Sequence, residues 1–376
     1  MKKILIMCNG DPSKRPRPYR IIQALKEKYH VTVVAGGEKF YDAIDFIPLP
    51  NINPKNIGDK IILALQHKFG NFEKILWPQP MVNLKKILVK SHFDVVVCQN
   101  LNLLPLALSV RGDGKVLFDA REYFPSHFED LFIWRFIFQK MNQYLCETYL
   151  KNVDQMITVS EGLQTEYKRV FGIKSEIITS FPDYQTLEPS RVDDGHIKII
   201  HHGSAHPSRK IETMINMMDY VDERYSLDLM LVAPGNKKYL NKLKRMANNS
   251  SRVRVIEPVK MNDIASFTNR YDVGLYLFQP RNFNTKHMLP NKLFEFIQAR
   301  LAIAIGPSIE MRKFVDHYKC GIVAPDFESK TMAKIFNQLA VKDIVEMKNK
   351  ADKAARELHA GVNAKKIHGI VANLCL

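Results

Sequence analysis

The sequence predicts an α/β protein built from two doubly wound domains, each with its own parallel sheet. Three features of the 376-residue chain favour this class. Short apolar strands alternate with amphipathic helices from the first residues onward, as in strand–helix–strand units. A polar segment interrupts the alternation at residues 180–196. The alternation then resumes almost to the C-terminus, so a second domain of the same class is expected after the first.

The first half contains five predicted strands and two predicted helices. The strand KKILIMC precedes the helix PYRIIQALKEKY, in which Ile21, Ile22 and Leu25 share one face. A second helix, EGLQTEYKRVFG, begins after Ser160. The remaining strands are HVTVVAGG, FDVVVCQN, GKVLFDA and VDQMITVS. We therefore expect a Rossmann-like domain over residues 1–182.

The second half repeats this pattern after a predicted linker. SFPDYQTLEPSRVDDGH holds two prolines and shows no periodicity, which indicates a connection between domains. We expect a second Rossmann-like domain over residues 196–355 and a terminal helix over residues 356–376 that packs back on the first domain. Because parallel sheets bind ligands at the carboxyl ends of their strands, two such domains facing each other predict a central binding cleft. The predicted strands are IKIIHHG, LDLMLVAPG, VRVIEPV, YDVGLYLF, LAIAIG and CGIVAP.

Composition limits the class of protein. Hydrophobic residues make up 46% of the chain, which allows sizeable cores and argues against global disorder. We find no apolar run of the roughly 18 residues that a spanning helix needs. The N-terminus turns polar after Cys8, which fits a buried strand better than a signal peptide, and we expect a cytoplasmic chain. The five cysteines are scattered without CxxC spacing, so reduced buried thiols are expected rather than disulfides or structural zinc.

The net charge of +16 favours anionic partners such as nucleic acid, acidic lipid or phosphorylated small molecules. The basic residues are dispersed and form no recognisable nucleic-acid module, so nucleic acid is not the expected partner. No GxGxxG follows a strand, and GxxxxGK[ST], GxSxG and HExxH are missing. No Asp-x-Asp pair occurs, which argues against an enzyme that holds a metal through such carboxylates.

The stretch MLPNKLFEFIQARLAIAIG predicts a helix whose start offers free N–H donors. Pro290 suits the first helical position, which makes Leu289 the expected N-cap. Leucine has no side-chain oxygen, so the N–H groups of Asn291 and Lys292 lack a local acceptor. A helix start carries roughly half a positive charge and suits phosphate. Two alternatives stay open: Asn291 as the N-cap, and a surface ion pair between Lys292 and Glu295.

Three segments together resemble motifs of the GT-B-fold glycosyltransferases, in particular the retaining glycosyl transferases group 1 (family 4-like). They are LPNKLFEFIQARLAIAIGP, HHGSAHPSRKIETMI and ITVSEGLQTEY, with weaker matches in FDAREYFP and KCGIVAPDF. The resemblance covers most of the chain, most strongly from Val153 to Phe327. It implies transfer of a sugar, with retention and without a metal, from a UDP- or GDP-linked donor to an acceptor hydroxyl; no separate cofactor is expected.

The resemblance also implies roles on the donor side. The helix start near Pro290 would face the diphosphate, and Glu295 would bind the ribose hydroxyls. Arg209 or Lys210 would neutralise the departing diphosphate, an effect that is usually the largest catalytic contribution. Gly203 would allow close backbone approach to the donor. The alternatives are basic residues that open a solvated helix, and a plain turn at the glycine.

Two departures from the family pattern concern the sugars. His287 stands where the group often has an earlier glutamate beside the donor sugar; it is expected either to bond a sugar hydroxyl or to be a plain loop histidine. In DAREYFPSHFED, Arg121 replaces a histidine of the family segment. Asp119, Glu122 and His127 remain candidates for acceptor contact or proton transfer. Structural roles, such as pairing of the carboxylates with Arg121, are the alternative.

Two further segments bear on the acceptor. The loop after the first strand, NGDPSKRPRPYR, would contact donor or acceptor through Gly10 and an anionic acceptor through its basic residues, unless it is simply solvated. FEDLFIWRFIFQKMNQYL is either a core helix or a segment in a membrane interface. With the excess positive charge, these features favour a lipid-linked saccharide acceptor at the anionic inner face of the cell membrane, in lipopolysaccharide, capsule or glycolipid synthesis.

Three other functions stay open at this point. A nucleotide-sugar epimerase of the same fold would convert the donor without an acceptor. A catalytically inactive family member would bind nucleotide without turnover. A nucleic-acid-binding protein would show strongly salt-dependent binding of oligonucleotides.

Overall fold

The computed structural model describes residues 1–54, 56–233, 235 and 237–376. The described chain forms two compact units. The first unit comprises Met1–Ser180, Arg281–His287 and Asn363–Leu376, and the second comprises Phe181–Pro280 and Met288–Val362. The segment Arg281–His287 is an addition to the first unit that the sequence did not suggest.

The first unit is built on a seven-stranded parallel sheet in the order β3-β2-β1-β4-β5-β6-β7. All five strands predicted in the first half are present. The two strands that were not predicted, β3 and β7, are a partly exposed edge strand and a two-residue strand, so neither has a continuous apolar run. The strands are β1 Lys3–Met7, β2 His30–Ala35, β3 Asp45–Pro48, β4 Val95–Cys98, β5 Lys115–Ala120, β6 Gln155–Thr158 and β7 Glu176–Ile177.

Helices cover both faces of this sheet. Successive side chains of β1 enter different cores because side chains alternate along a strand: Leu5 and Met7 join one cluster, and Ile4 and Ile6 the other. The helices are α1 Pro16–Lys26, α2 Ile57–Lys68, α3 Phe72–Leu76, α4 Gln79–Leu88, α5 Leu104–Val110, α6 Phe132–Ile137, α7 Gln139–Tyr149 and α8 Glu161–Phe171.

The second unit contains six parallel strands in the order β10-β9-β8-β11-β12-β13, and all six were predicted. Here too the sheet separates two cores, with Ala302 and Ala304 of β12 on one side and Ile303 and Ile305 on the other. The strands are β8 Ile197–Ser204, β9 Tyr225–Val232, β10 Val253–Ile256, β11 Val273–Tyr276, β12 Ala302–Ile305 and β13 Gly321–Val323. Two parallel sheets with helices on both faces confirm the α/β class.

The remaining helices complete the two units. α12 lies in the added segment of the first unit, and most of α17 also belongs there, where Ile367, Ile370 and Val371 join the core cluster of Ile4 and Ile6. The others form the second unit. In order they are α9 Glu212–Met217, α10 Lys237–Ala247, α11 Ile264–Thr268, α12 Phe283–Lys286, α13 Asn291–Gln298, α14 Ile309–Tyr318, α15 Ser329–Gln338, α16 Val341–Glu357 and α17 Ala360–Leu374.

Two sequence interpretations need correction. The predicted linker is part of the second unit from Phe181 onward, because the main chain of Gln185 accepts from Arg300 Nη2 at 2.7 Å and donates to Gln298 Oε1 at 3.0 Å. The apolar segment around Trp134 is not one core helix. It forms two short helices. Helix α7 buries Met141, Leu145 and Cys146, whereas α6 buries no residue. Across the part of the chain that the structure describes, no helix is long and apolar enough to cross a membrane.

Candidate functional site

Helix α13 begins one residue later than the sequence suggested. Its N-cap is Pro290, with φ −72° and ψ 143°, and Asn291 is the first helical residue. The predictions of Leu289 and of Asn291 as N-cap are therefore wrong, because the fixed φ of proline also fits the extended N-cap conformation. Proline has no side-chain oxygen either, and no described residue caps the helix with a side-chain hydrogen bond. The positive end of the helix dipole is thus left uncompensated by its own cap.

Lys292 is buried in the first turn of this helix, with 6% of its surface exposed. Its Nζ lies 4.3 Å from the centroid of the Tyr276 ring, and among the described residues no acceptor is within hydrogen-bonding distance. Burial lowers the pKa of Lys292 well below its usual value, the positive charge of Arg209 lowers it further, and Glu295 opposes both effects. A surface ion pair between Lys292 and Glu295 is excluded, since neither residue is at the surface.

Glu295, 7% exposed, lies one turn further along α13. Its Oε2 is 3.6 Å from Nε2 of His202, a buried histidine near the end of β8. Burial, assisted by Lys292, lowers the pKa of His202 to about 3, so the imidazole is neutral at physiological pH. His202 was not among the predicted site residues. The available signal was the repeated histidine in HHG, directly before the loop that follows the strand.

Gly203 faces the buried ammonium group. Its φ is +135°, a conformation that favours glycine, and a Cβ at this position would lie 3.0 Å from Lys292 Nζ. A side chain here would both strain the backbone and crowd the lysine. The geometry therefore favours close backbone approach over a plain turn, although contact with a donor stays a prediction.

Arg209 and Lys210 differ in their surroundings. Arg209 is half-buried, donates from Nη1 to the Tyr276 hydroxyl at 3.2 Å, and lies 5.9 Å from the Phe278 ring centroid. Lys210 is exposed and adopts a left-handed φ of +44° at the end of a short turn. Through Tyr276, Arg209 joins the group around Lys292. Of the two residues, Arg209 therefore lies with the buried lysine, and phosphate binding by either one stays a prediction.

In the first unit, Asp119 is fully buried at the end of β5 and paired with Arg17. Nε and Nη2 of Arg17 donate to the carboxylate at 2.6–3.0 Å, and its Nη1 donates to the Ile178 carbonyl at 2.5 Å. The alternative of a pairing between Asp119 and Arg121 is therefore wrong, since Arg17 takes that place. This arrangement favours a structural role for Asp119 and leaves Arg17 no free charge for an anionic acceptor.

Glu122 and His127 follow on the loop after β5 and are both partly buried. Burial raises the pKa of Glu122 to about 7, against a smaller lowering by Arg121. Burial and the charge of Arg121 lower the pKa of His127 to about 4. Near neutral pH, Glu122 can therefore take up and release a proton, whereas His127 is neutral and a weak base. The His127 ring stacks on Phe128 at 4.1 Å between centroids, which fixes its plane.

The added segment Arg281–His287 is anchored beside this loop. Asn284 accepts from Tyr123 N–H at 2.6 Å and donates to the Tyr123 carbonyl at 2.9 Å. Ser160 Oγ donates to the His287 carbonyl at 2.8 Å. His287 thus belongs to the first unit, whereas the α13 start belongs to the second, and its contact with a donor sugar stays a prediction. Sequence reasoning missed Asn284, although Asn282 and Thr285 show the spacing of the capping box that starts α12.

The loop after β1 is more ordered than a solvated basic loop. Gly10 has φ +71°, and a Cβ there would lie 2.8 Å from Nη2 of Arg15. Arg20 donates to the carbonyl and hydroxyl of Ser180, both at 3.3 Å, while exposed Lys14 pairs with Asp11 at 2.9 Å. A role for Gly10 in binding stays a prediction. Among the described residues, no cluster of three His, Cys, Asp or Glu side chains is placed to hold a metal ion.

Solved structures share this fold over nearly the whole chain. HepE of Anabaena, in complex with UDP and glucose, has a TM-score of 0.74 at 13% identity, covering 99% of this chain and 100% of that one. Sucrose-phosphate synthase from Thermosynechococcus elongatus has a TM-score of 0.77 at 10% identity, covering 100% and 99%. WaaG, a glycosyltransferase involved in lipopolysaccharide biosynthesis, has a TM-score of 0.70 at 12% identity, covering 98% and 99%.

No protein-family model and no curated protein matches the sequence. At identities of 10–13%, the structural likenesses establish the fold. They confirm the predicted GT-B architecture of two doubly wound α/β domains.

Proposed function

We propose that this protein is a glycosyltransferase that moves a sugar from a nucleotide-diphosphate-sugar donor to an acceptor hydroxyl. One observation carries the proposal: the buried amino group of Lys292, which has no hydrogen-bond acceptor among the described residues, lies in the first turn of an uncapped helix at the carboxyl end of a parallel sheet. Parallel sheets bind ligands at this edge, and a buried cation needs an anionic partner. A diphosphate supplies that partner.

Each of the residues around Lys292 has a separate role in the proposed donor binding. The N–H groups at the α13 start hold the diphosphate, and Lys292 and Arg209 stabilise the negative charge that grows on it as the glycosidic bond breaks. Glu295 accepts hydrogen bonds from the ribose hydroxyls. The neutral imidazole of His202, 3.6 Å away, restricts the positions that the Glu295 carboxylate can adopt. Because these cations already supply the positive charge, the proposed transfer needs no metal ion.

The acceptor side rests on the first unit. Glu122 and His127 are the candidates for contact with the acceptor hydroxyl. Glu122 is the better proton acceptor, because burial raises its pKa to about 7, whereas the lowered pKa of His127, about 4, makes its imidazole a weak base. We propose retention of anomeric configuration, as the sequence resemblance implies.

The cellular setting is a further part of the proposal. The likeness to HepE, solved with UDP, favours a UDP-linked donor over a GDP-linked one. The likeness to WaaG favours synthesis of a surface polysaccharide or glycolipid. A lipid-linked saccharide acceptor, used from the cytoplasm at the anionic inner face of the membrane, fits both this setting and the net charge of +16.

A panel of nucleotides tests the donor site. UDP and UDP-sugars should raise the melting temperature, because a ligand that binds only the folded state stabilises it. Glu295→Ala should weaken UDP binding about tenfold or more in calorimetry, from loss of the ribose hydrogen bonds, and leave pyrophosphate binding unchanged. Lys334→Met, at an exposed lysine of the same unit, serves as the control. Equal affinity of the Glu295→Ala variant for UDP would remove this residue from the site.

Turnover measurements distinguish a glycosyltransferase from an epimerase and from an inactive family member. A glycosyltransferase releases UDP from the matching UDP-sugar faster when acceptor glycolipid is present. Conversion of the donor sugar without any acceptor would instead indicate an epimerase, and binding without turnover an inactive family member.

A further inference from the structure

Helix α2 presents its apolar side chains to solvent. Ile57, Ile61, Leu65 and Phe69 recur every fourth residue and therefore share one face, and the exposed fraction of Ile57 is 76%. Ile62 next to this row is also exposed. A surface helix of a globular protein usually turns such a stripe toward the core. In α2 the arrangement is reversed, and packing of this chain does not account for it.

Helix α6 has the same property. None of its residues is buried, and Phe132 is 72% exposed. Leu131, Ile133 and Phe136 are exposed as well, and the rings of Phe132 and Phe136 stack on each other at 6.3 Å between centroids. The two rings contact each other, and both remain exposed to solvent.

The two helices are neighbours in the fold. They lie against each other, and the His67 ring of α2 meets the Phe138 ring after α6 edge-on at 4.8 Å between centroids. We call the exposed apolar side chains of these two neighbouring helices the α2–α6 face; its residues are Ile57, Ile61, Ile62, Leu65, Phe69, Leu131, Phe132, Ile133 and Phe136. So many exposed apolar side chains on neighbouring helices mark an interaction site.

Positive charge borders the face. Lys68 and Arg135 are exposed and lie beside its aromatic rings, each 5.9 Å from a ring centroid, of Phe69 and Phe132 respectively. Lys140 follows just after α6 and is also exposed. Apolar and aromatic side chains flanked by cations are the composition of segments that lie in a lipid interface.

We propose that the α2–α6 face docks on an anionic lipid bilayer. The apolar side chains would enter the boundary between headgroups and acyl chains, and Lys68, Arg135 and Lys140 would meet lipid phosphates. A second copy of this chain fits less well, because a two-fold interface through this face would bring the same cations together. The proposal names the surface that serves the membrane setting proposed above, and it requires no sugar transfer.

Vesicle binding tests the proposal without donor or acceptor. The full-length protein should float with vesicles containing phosphatidylglycerol and bind phosphatidylcholine vesicles much more weakly. Ile61→Asp with Phe132→Asp should reduce binding about tenfold or more, since two exposed apolar side chains are lost from the interface. Val170→Asp with Val345→Asp is the matched control, because it adds the same charge at two other exposed valines.

Three outcomes would overturn the proposal: no binding of the wild-type protein to anionic vesicles, equal binding to both vesicle types, or unchanged binding of the Ile61→Asp, Phe132→Asp variant. A dimer in sedimentation that this variant dissolves, without vesicle binding, would assign the face to a second copy instead. Circular dichroism checks that both variants fold. Binding can also be followed by Trp134 in a Trp77→Phe background, whose emission should shift to the blue on anionic vesicles only.

Discussion

The second unit contains two buried lysines at opposite ends of β11, and the two differ in their hydrogen-bond partners. At the amino end of β11, Lys348 donates to Ser190 Oγ at 2.8 Å, to the Tyr271 carbonyl at 2.9 Å and to Asp272 Oδ1 at 3.3 Å. At the carboxyl end, Lys292 Nζ lies 4.3 Å from the centroid of the Tyr276 ring and has no hydrogen-bond acceptor among the described residues. Burial lowers the pKa of both lysines, and Asp272 opposes this effect at Lys348.

The difference separates structure from function. A saturated ammonium group stabilises the fold, because every donor has an acceptor. A buried ammonium group without acceptors lowers stability unless a ligand supplies them. Groups with such perturbed pKa values are common at functional sites. That the unsaturated lysine lies at the end of the strand where parallel sheets bind ligands is what supports the donor site.

The largest expected effect is on stability. Lys348→Met should lower the free energy of unfolding by about 3–5 kcal/mol, since it leaves the buried Asp272 carboxylate without its charged partner. Lys292→Met should leave that free energy unchanged or raise it, because it removes a buried amino group that has no acceptor in the described part of the chain. Urea denaturation of the two variants measures both values. Equal losses would erase the proposed distinction.

Activity should show the opposite order. Lys292→Met should reduce kcat by about 10²–10³-fold, the usual cost of removing one group that stabilises transition-state charge. Steady-state rates with donor and acceptor provide the measurement, with Lys334→Met as the control. Retention of most of the activity would show that Lys292 is buried for another reason.

Proton uptake sharpens the comparison further. In the free protein the pKa of Lys292 is held well below its usual value, so a bound diphosphate should raise it and draw in up to about one proton per nucleotide at alkaline pH. Calorimetry in two buffers with different ionisation enthalpies detects this uptake. It should disappear in Lys292→Met; a buffer-independent enthalpy for the wild type would argue against contact between diphosphate and lysine.

The smallest effect concerns the analogous contrast in the first unit, between paired Asp119 and partly buried Glu122. The folded-state pKa of Glu122, about 7, lies above its ordinary value of 4.5. Its ionisation therefore costs stability as pH rises between these values, and the cost is absent below them. Glu122→Gln should stabilise the protein by about 1–2 kcal/mol at pH 8 and not at pH 4. Thermal unfolding at both pH values checks this; an equal gain at both would point to packing instead.

The strands and the start of α13 were within reach of the sequence for a physical reason. Strands covered on both faces read as continuous apolar runs, as in VVVC and AIAI. A proline before an apolar helix signals its start to within one residue. The edge strand β3, half exposed, carries no such pattern.

Contacts between distant residues were not within reach. Arg17 and Asp119 lie 102 positions apart, and local periodicity does not reveal such a pair. The burial of Lys292 could not be predicted for the same reason. Its spacing to Glu295 suits a surface ion pair equally well, and the packing around Tyr276 that buries it is not visible in the local sequence. Asn284 was missed because a segment between two strands of the second unit belongs to the first.

The composition of the first unit has a consequence for biosynthesis. Its N-terminal 180 residues leave the ribosome long before Asn363–Leu376, which supplies Ile367, Ile370 and Val371 to the core around β1. At roughly 5–20 residues per second, the chain waits about 10–40 s for these side chains. Until then the nascent unit exposes apolar surface to chaperones, and a stop codon shortly before the terminal helix would leave that surface open for good.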